Sequence, residues 1–101
     1  MIEFEFENNG SLQMRVQCNE YDATIEFCGK NYNTHTEDFV MIKNIYFKDL
    51  ILPELFLFST MTTDNKDYAN MSNVDYISFN GVWSLKFTDN DVREILRKKL
   101  T

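Results

Sequence analysis

Apolar and acidic residues alternate strictly from position 2, with Ile2, Phe4 and Phe6 on one side of an extended chain and Glu3, Glu5 and Glu7 on the other. A period of two is the signature of a strand with one buried face. Residues 12 to 18 and 22 to 28 repeat the alternation, so three strands are predicted. Opposed residues of an antiparallel pair must share a face, and this constrains each turn. A three-residue turn at Asn8-Asn9-Gly10, with Gly10 left-handed, sets Phe6 opposite Leu12 and Phe4 opposite Met14. A two-residue loop at Asn19-Glu20 sets Val16 opposite Ala23 and Met14 opposite Ile25. The expected product is a three-stranded meander over residues 2 to 28. Its outer face carries Glu3, Glu5, Glu7, Gln13, Arg15, Gln17, Asp22, Thr24 and Glu26.

The middle of the chain is polar from Lys30 to Asp38 and reads as a loop. Thr34 followed by Glu37 fits a capping box, Phe39, Ile42, Tyr46 and Leu50 fit one helical face, and Pro53 is a stop. A helix over about 37 to 52 is predicted, with a strand over 39 to 47 as the competing reading, because Ile, Tyr, Phe and Val also suit a sheet. Residues 53 to 61 read as a short buried strand and 63 to 73 as the longest loop. Two runs around Asn80-Gly81 predict a hairpin over 74 to 87 with Val74, Tyr76, Trp83, Leu85 and Phe87 facing the core, Tyr76 opposite Leu85, and Asp75 opposite Lys86. Thr88 then caps a closing helix through Asp91, with Val92, Ile95, Leu96 and Leu100 as its buried stripe. The order βββαβββα implies an α+β fold: one domain over 1 to 101, with an antiparallel sheet of about six strands and helices on one face.

Composition narrows the function. The chain has 101 residues, 44% of them hydrophobic, and a formal charge of −6. A phosphate backbone needs a cationic surface, so nucleic acid is not an expected partner. No apolar run approaches the ~18 residues of a membrane span, and a membrane is not expected either. The start Met1-Ile2-Glu3-Phe4-Glu5 has no basic and then apolar run of a secretory leader, which predicts a cytoplasmic product. Abundant Asn, Lys, Ile, Phe and Tyr with scarce Gly and Pro fit an AT-rich source such as a low-GC bacterium, its phages or mobile elements. Cys18 and Cys28 fall at opposite ends of neighbouring strands, roughly 20 Å apart at about 3.3 Å per residue, and should be free thiols.

Catalytic chemistry finds little support. His35 is the one histidine and sits in a polar loop. The sequence has no glycine-rich phosphate loop, no Cys-x-x-Cys and no nucleophile elbow, and Asp64-Asn65-Lys66-Asp67 lacks the Gly that a calcium loop needs. No enzyme activity, metal or cofactor is expected. The acidic sheet face is the remaining candidate. It is either a solubilising face that protects an edge strand or a surface complementary to a basic partner. The candidate binding residues are Glu3, Glu5, Glu7, Asp22 and Glu26, with Tyr21 as an aromatic anchor; Tyr32 and Tyr68 are further exposed aromatics.

The opening Ile2-Glu3-Phe4-Glu5 through Asn9-Gly10-Ser11-Leu12, the run Asp22 to Phe27, and Thr36-Glu37-Asp38-Phe39 resemble small immunity proteins of bacterial polymorphic-toxin systems, the WapI-type family in particular. In size, charge and composition the chain also resembles phage inhibitors of host defence, including anti-CRISPR proteins. Both resemblances imply a non-catalytic antagonist of a basic protein: a nuclease, another nucleic-acid enzyme or a toxin domain. The alternative is a small structural or oligomerisation module of a phage or bacterium, associating through a sheet edge or the apolar stretch at 45 to 58.

Overall fold

The acidic alternation at the start does form a strand, but the strand that follows it is not its partner. The computed structural model describes residues 2–10, 12–29, 38–63, 71–72 and 75–100. Along the chain these form β1 (Ile2–Asn9), β2 (Gln13–Cys18), β3 (Asp22–Cys28), β4 (Phe39–Phe47), β5 (Leu50–Ile51), a 3₁₀ segment (Pro53–Phe58), β6 (Ser59–Thr62), β7 (Met71–Ser72), β8 (Tyr76–Ile77), β9 (Gly81–Lys86) and helix α1 (Asp89–Lys99). They make two antiparallel sheets. The first has β4 paired with β1, β5 and β8, and the second runs β2-β3-β9-β6-β7. The α+β class holds, while the expected single sheet of about six strands and the order βββαβββα give way to this two-sheet arrangement.

β1 pairs with β4, placing Ile2 opposite Phe47 and Phe4 opposite Ile45. Gly10, at φ +98°, turns the chain out of the first sheet and into the second, and the Asp38 carboxylate occupies the space a Cβ there would need. The meander over 2 to 28 is therefore broken after its first strand. β2 and β3 do pair, but two residues out of the expected register, with Val16 opposite Ile25 and Met14 opposite Phe27. The connection is longer than two residues because Asn19 and Asp22 close it: the Asn19 N–H donates to the Asp22 carbonyl at 2.8 Å, and its amide Nδ2 to Oδ1 at 2.9 Å. A slip of two keeps every side chain on its face.

Within the segment expected as a helix over 37 to 52, Phe39–Phe47 is strand β4, the competing reading, and Leu50–Ile51 is β5. A bulge explains the helical look. Glu5 opposes Asn44 and Phe6 opposes Ile42, so Lys43 is the extra residue and alternation reverses around it. Val40, Ile42, Ile45 and Phe47 are all buried, and the three-residue step from Ile42 to Ile45 imitates a helical period. Residues 53 to 61 also differ from the expected strand. Pro53, lacking an N–H, opens a 3₁₀ segment that buries Leu55, and only Ser59–Thr62 is extended. The Ser59 hydroxyl closes that segment by donating to the Phe56 carbonyl at 2.6 Å.

The Asn80-Gly81 hairpin does not form either. β8 joins β4, with Val40 opposite Ile77 and Met41 opposite Tyr76, while β9 inserts between β3 and β6. Leu85 thus faces Ala23 and Ser59 rather than Tyr76, and Lys86 faces Asp22 rather than Asp75. Asn80-Gly81 is a corner between sheets, and the Thr62 carbonyl lies where a Cβ on Gly81 would stand. Trp83, Leu85 and Phe87 are buried as expected, Tyr76 is 46% exposed, and Val74 lies outside the described residues.

The core fills the space between the sheets. Phe4 of the first sheet meets Trp83 of the second, and Phe47 meets Phe87 edge-on with centroids 5.3 Å apart. Helix α1 starts as predicted: Thr88 Oγ1 accepts from the Asp91 N–H at 3.1 Å, and the Thr88 N–H donates to Asp91 Oδ2 at 2.8 Å. Val92 is buried and Ile95 and Leu96 pack against the core, but Leu100 is 87% exposed and leaves the predicted stripe. It stands at the C-cap of α1. Among the described residues no helix is long and apolar enough to cross a membrane.

Candidate functional site

The two sheets bury their inner faces against each other, so their outer faces look in opposite directions. This divides the acidic face expected from sequence. Glu3, Glu5 and Glu7 stay together on the outer face of β1, the free-edged strand of the first sheet. Asp22 and Glu26 lie on the outer face of the second sheet, with Arg15 opposite Glu26 and Lys86 opposite Asp22. That second face is balanced, two carboxylates against two cations. Tyr21 belongs to neither face. Its ring is half-buried at one end of the core, 5.7 Å from Phe47 and 5.9 Å from Phe87, and its carbonyl accepts the Phe87 N–H at 3.1 Å.

The glutamate row is built by strand geometry. Alternate residues recur at about 6.8 Å along an antiparallel strand, so β1 fixes three carboxylates in line. Among the described residues no ion pair holds any of them. Glu5 accepts a hydrogen bond from Asn44 Nδ2 at 2.7 Å, across the bulge that Lys43 creates. Beside the row runs a strip of apolar and aromatic side chains. Glu3 opposes Tyr46, which opposes Ile51, and Glu7 opposes Met41, which opposes Tyr76. The Tyr76 ring stacks on Phe39 with centroids 5.0 Å apart. Ile51 is 53% exposed. The outer face of the first sheet therefore combines three glutamates, none opposed in register by a cation and with Lys43 at the bulge as the nearest basic residue on β4, with adjoining aromatic surface.

Sequence reasoning found the glutamates but not the strip. Phe39 and Tyr46 belong to the expected helix and Tyr76 to the expected core face. The β-branched and aromatic content of 39 to 47 was the signal that could have found it.

A second concavity, about 580 Å³, lies between the 3₁₀ segment and α1, where Leu57, Phe58 and Ile95 meet Glu54, Glu94 and Lys99. Lys99 Nζ bridges its end, 3.1 Å from Glu54 Oε1 and 3.3 Å from the Ile51 carbonyl. Glu54 Oε2 is buried there without a hydrogen-bond partner among the described residues.

Both cysteines are free and exposed, at opposite ends of the β2–β3 ladder. Although Cys18 is exposed as a residue, partial desolvation of its thiol, and next the Asp22 carboxylate, push that thiol above the ordinary range, which lowers its thiolate fraction. Among the described residues no three His, Cys, Asp or Glu side chains gather where they could hold a metal ion. His35, Tyr32, Tyr68, the Thr34–Glu37 capping pair and the run Asp64 to Asp67 lie outside the described residues. Comparison with protein-family models, with curated proteins and with solved structures gives no match.

Proposed function

We propose that the protein is a non-catalytic acidic binding protein that antagonises a basic protein partner through the outer face of its first sheet. The row Glu3, Glu5 and Glu7, unpaired among the described residues and bordered by Tyr46, Met41 and Tyr76, carries this reading. Carboxylates held in line on a sheet are acceptors for the Lys and Arg side chains with which a nuclease, another nucleic-acid enzyme or a toxin domain holds phosphate. Such a row accelerates encounter with a cationic surface, and the adjoining aromatics supply the apolar contact that charge alone does not. Acting as an immunity protein or as a phage-encoded anti-defence inhibitor, it would occupy the partner's basic site.

The division of charge between the two faces sharpens the expectation. Asp22 and Glu26 each stand opposite a cation in register, whereas Glu3, Glu5 and Glu7 stand opposite Tyr46, Asn44 and Met41, so the binding role falls on β1 rather than on all five acids. The test is affinity capture on the tagged protein at low and high salt, with the triple variant Glu3→Lys, Glu5→Lys, Glu7→Lys alongside. A specific basic protein retained at low salt, released at high salt and lost in the triple variant is the expected outcome. Recovery of no specific partner at any ionic strength sinks the proposal.

A further inference from the structure

We infer that two copies of the chain associate by antiparallel pairing of β2 with β2, about a two-fold axis at Val16. The argument begins with the sheet edges. Natural sheets protect free edges with charge, with bulges or by keeping the edge strand short. Among the described residues, β5, β7 and β8 have two residues each, and β1 carries a glutamate at every second position. Pairing β1 with its own copy would set glutamate against glutamate, which is unfavourable. Among the described residues β2 has none of these protections. It is six residues long, ends the second sheet, and contains no Gly, no Pro, no bulge and a single charge, Arg15.

A second observation points the same way. The inner face of β3 is sealed, with Ala23, Ile25 and Phe27 at 1% exposure or less, whereas on β2 only Met14 is partly covered. Val16 is 42% exposed and Cys18 is exposed, although both lie on the apolar side of the strand. The second sheet thus extends one strand beyond what the described residues cover, and that strand shows apolar side chains and an unpaired edge together.

Register then selects the occupant. Opposed residues must share a face, so a two-fold axis has to pass through a residue position. An axis at Met14 or Gln17 would bring only three residues of each β2 into the ladder, and an axis at Arg15 would oppose Arg15 to its own copy. An axis at Val16 opposes Val16 to Val16, Met14 to Cys18 and Arg15 to Gln17, pairing apolar with apolar and leaving no like charges face to face. Five residues of each strand, 14 to 18, enter the new ladder. A second copy of this chain is therefore complementary to β2, and the joined second sheets become one continuous sheet of twice the width.

The test uses sedimentation equilibrium and site-directed disulfide trapping on the full chain. The wild type should show a concentration-dependent mass rising toward twice 12.0 kDa. Val16→Lys places two ammonium groups on the axis and should weaken the dimer about tenfold or more. In a Cys18→Ser, Cys28→Ser background, Val16→Cys should form a covalent dimer under mild oxidation, because a residue on the axis meets its own copy within disulfide reach. Gln17→Cys, which opposes position 15, should not. A monomer from micromolar to millimolar concentration, a dimer indifferent to Val16→Lys, or equal trapping at positions 16 and 17 would each overturn the proposal.

Discussion

The ring of Phe4 meets the indole of Trp83 edge-on, with centroids 5.5 Å apart and planes at 84°. This contact joins the edge strand of one sheet to the middle strand of the other, and it decides which side of β1 is inside. Glu3 and Glu5 flank Phe4 and must face out, so the packing that stabilises the fold also aims the acidic row. Phe4→Ala should cost about 3 kcal/mol, the low end for a phenylalanine because Phe4 keeps some exposure. Urea denaturation measures it. A loss below about 1 kcal/mol would mean that the two sheets do not meet through this pair.

The capping box at Thr88 makes a separate prediction for the helix. Thr88→Ala removes the acceptor for the Asp91 N–H and should lower stability by about 1 kcal/mol, while Thr88→Ser should keep most of it. Leu100→Ala should change stability by less than about 0.5 kcal/mol, because Leu100 has left the buried stripe. Thermal melts of the three variants compare them directly, and a larger loss at Leu100 than at Thr88 would contradict the placement of the helix end.

The turn between β4 and β5 stores strain that a substitution can release. Lys48 and Asp49 sit at φ +49° and +66°, the two left-handed positions of a hairpin turn that favours Asn-Gly. Asp49→Gly should raise stability by up to about 1 kcal/mol, since glycine carries no Cβ penalty there. A decrease in the denaturation midpoint would contradict the turn.

Cys18 should be a slow thiol. Its pKa is raised by burial first and by Asp22 second, so at a given pH less of it is thiolate, the form that reacts. In a Cys28→Ser background, the pH midpoint for alkylation by iodoacetamide should lie above the free-thiol value of about 8.5. Asp22→Asn should move that midpoint down while leaving the burial contribution. A midpoint at or below the free-thiol value would contradict the local geometry.

The faces of the strands were legible in the sequence; their partners were not. Alternation in Ile2 to Glu7 states that one side is apolar, and any apolar surface can cover it, whether a neighbouring strand's sheet or the opposite sheet with Trp83. The β2–β3 pair kept its faces through a two-residue slip because parity, not turn length, sets the side. The bulge at Lys43 hid β4, since an extra residue converts a period of two into a step of three that a helix shares. Asn80-Gly81 has the composition of a hairpin turn, yet Ile77 and Trp83 enter different sheets, and nothing local distinguishes a turn within a sheet from a corner between two. The candidate site followed the same division. Glu3, Glu5 and Glu7 could be placed together from their spacing alone, whereas grouping them with Asp22 and Glu26 required a β1–β2 pairing that does not form. Tyr46 and Tyr76 join the site only through the β1–β4 and β4–β8 pairings.

The charge row on β1 is the centre of the functional account, and one comparison tests it most directly. The affinity of a captured basic partner is measured by calorimetry across a salt series for the wild type, the triple variant Glu3→Lys, Glu5→Lys, Glu7→Lys, and the single variant Glu26→Lys on the opposite face. Reversing the row should weaken binding about a hundredfold or more and abolish its salt sensitivity, with an unchanged circular dichroism spectrum, while Glu26→Lys should bind as the wild type does. Equal affinity of the triple variant and the wild type would contradict the account and leave the glutamates as a solubilising guard on an edge strand.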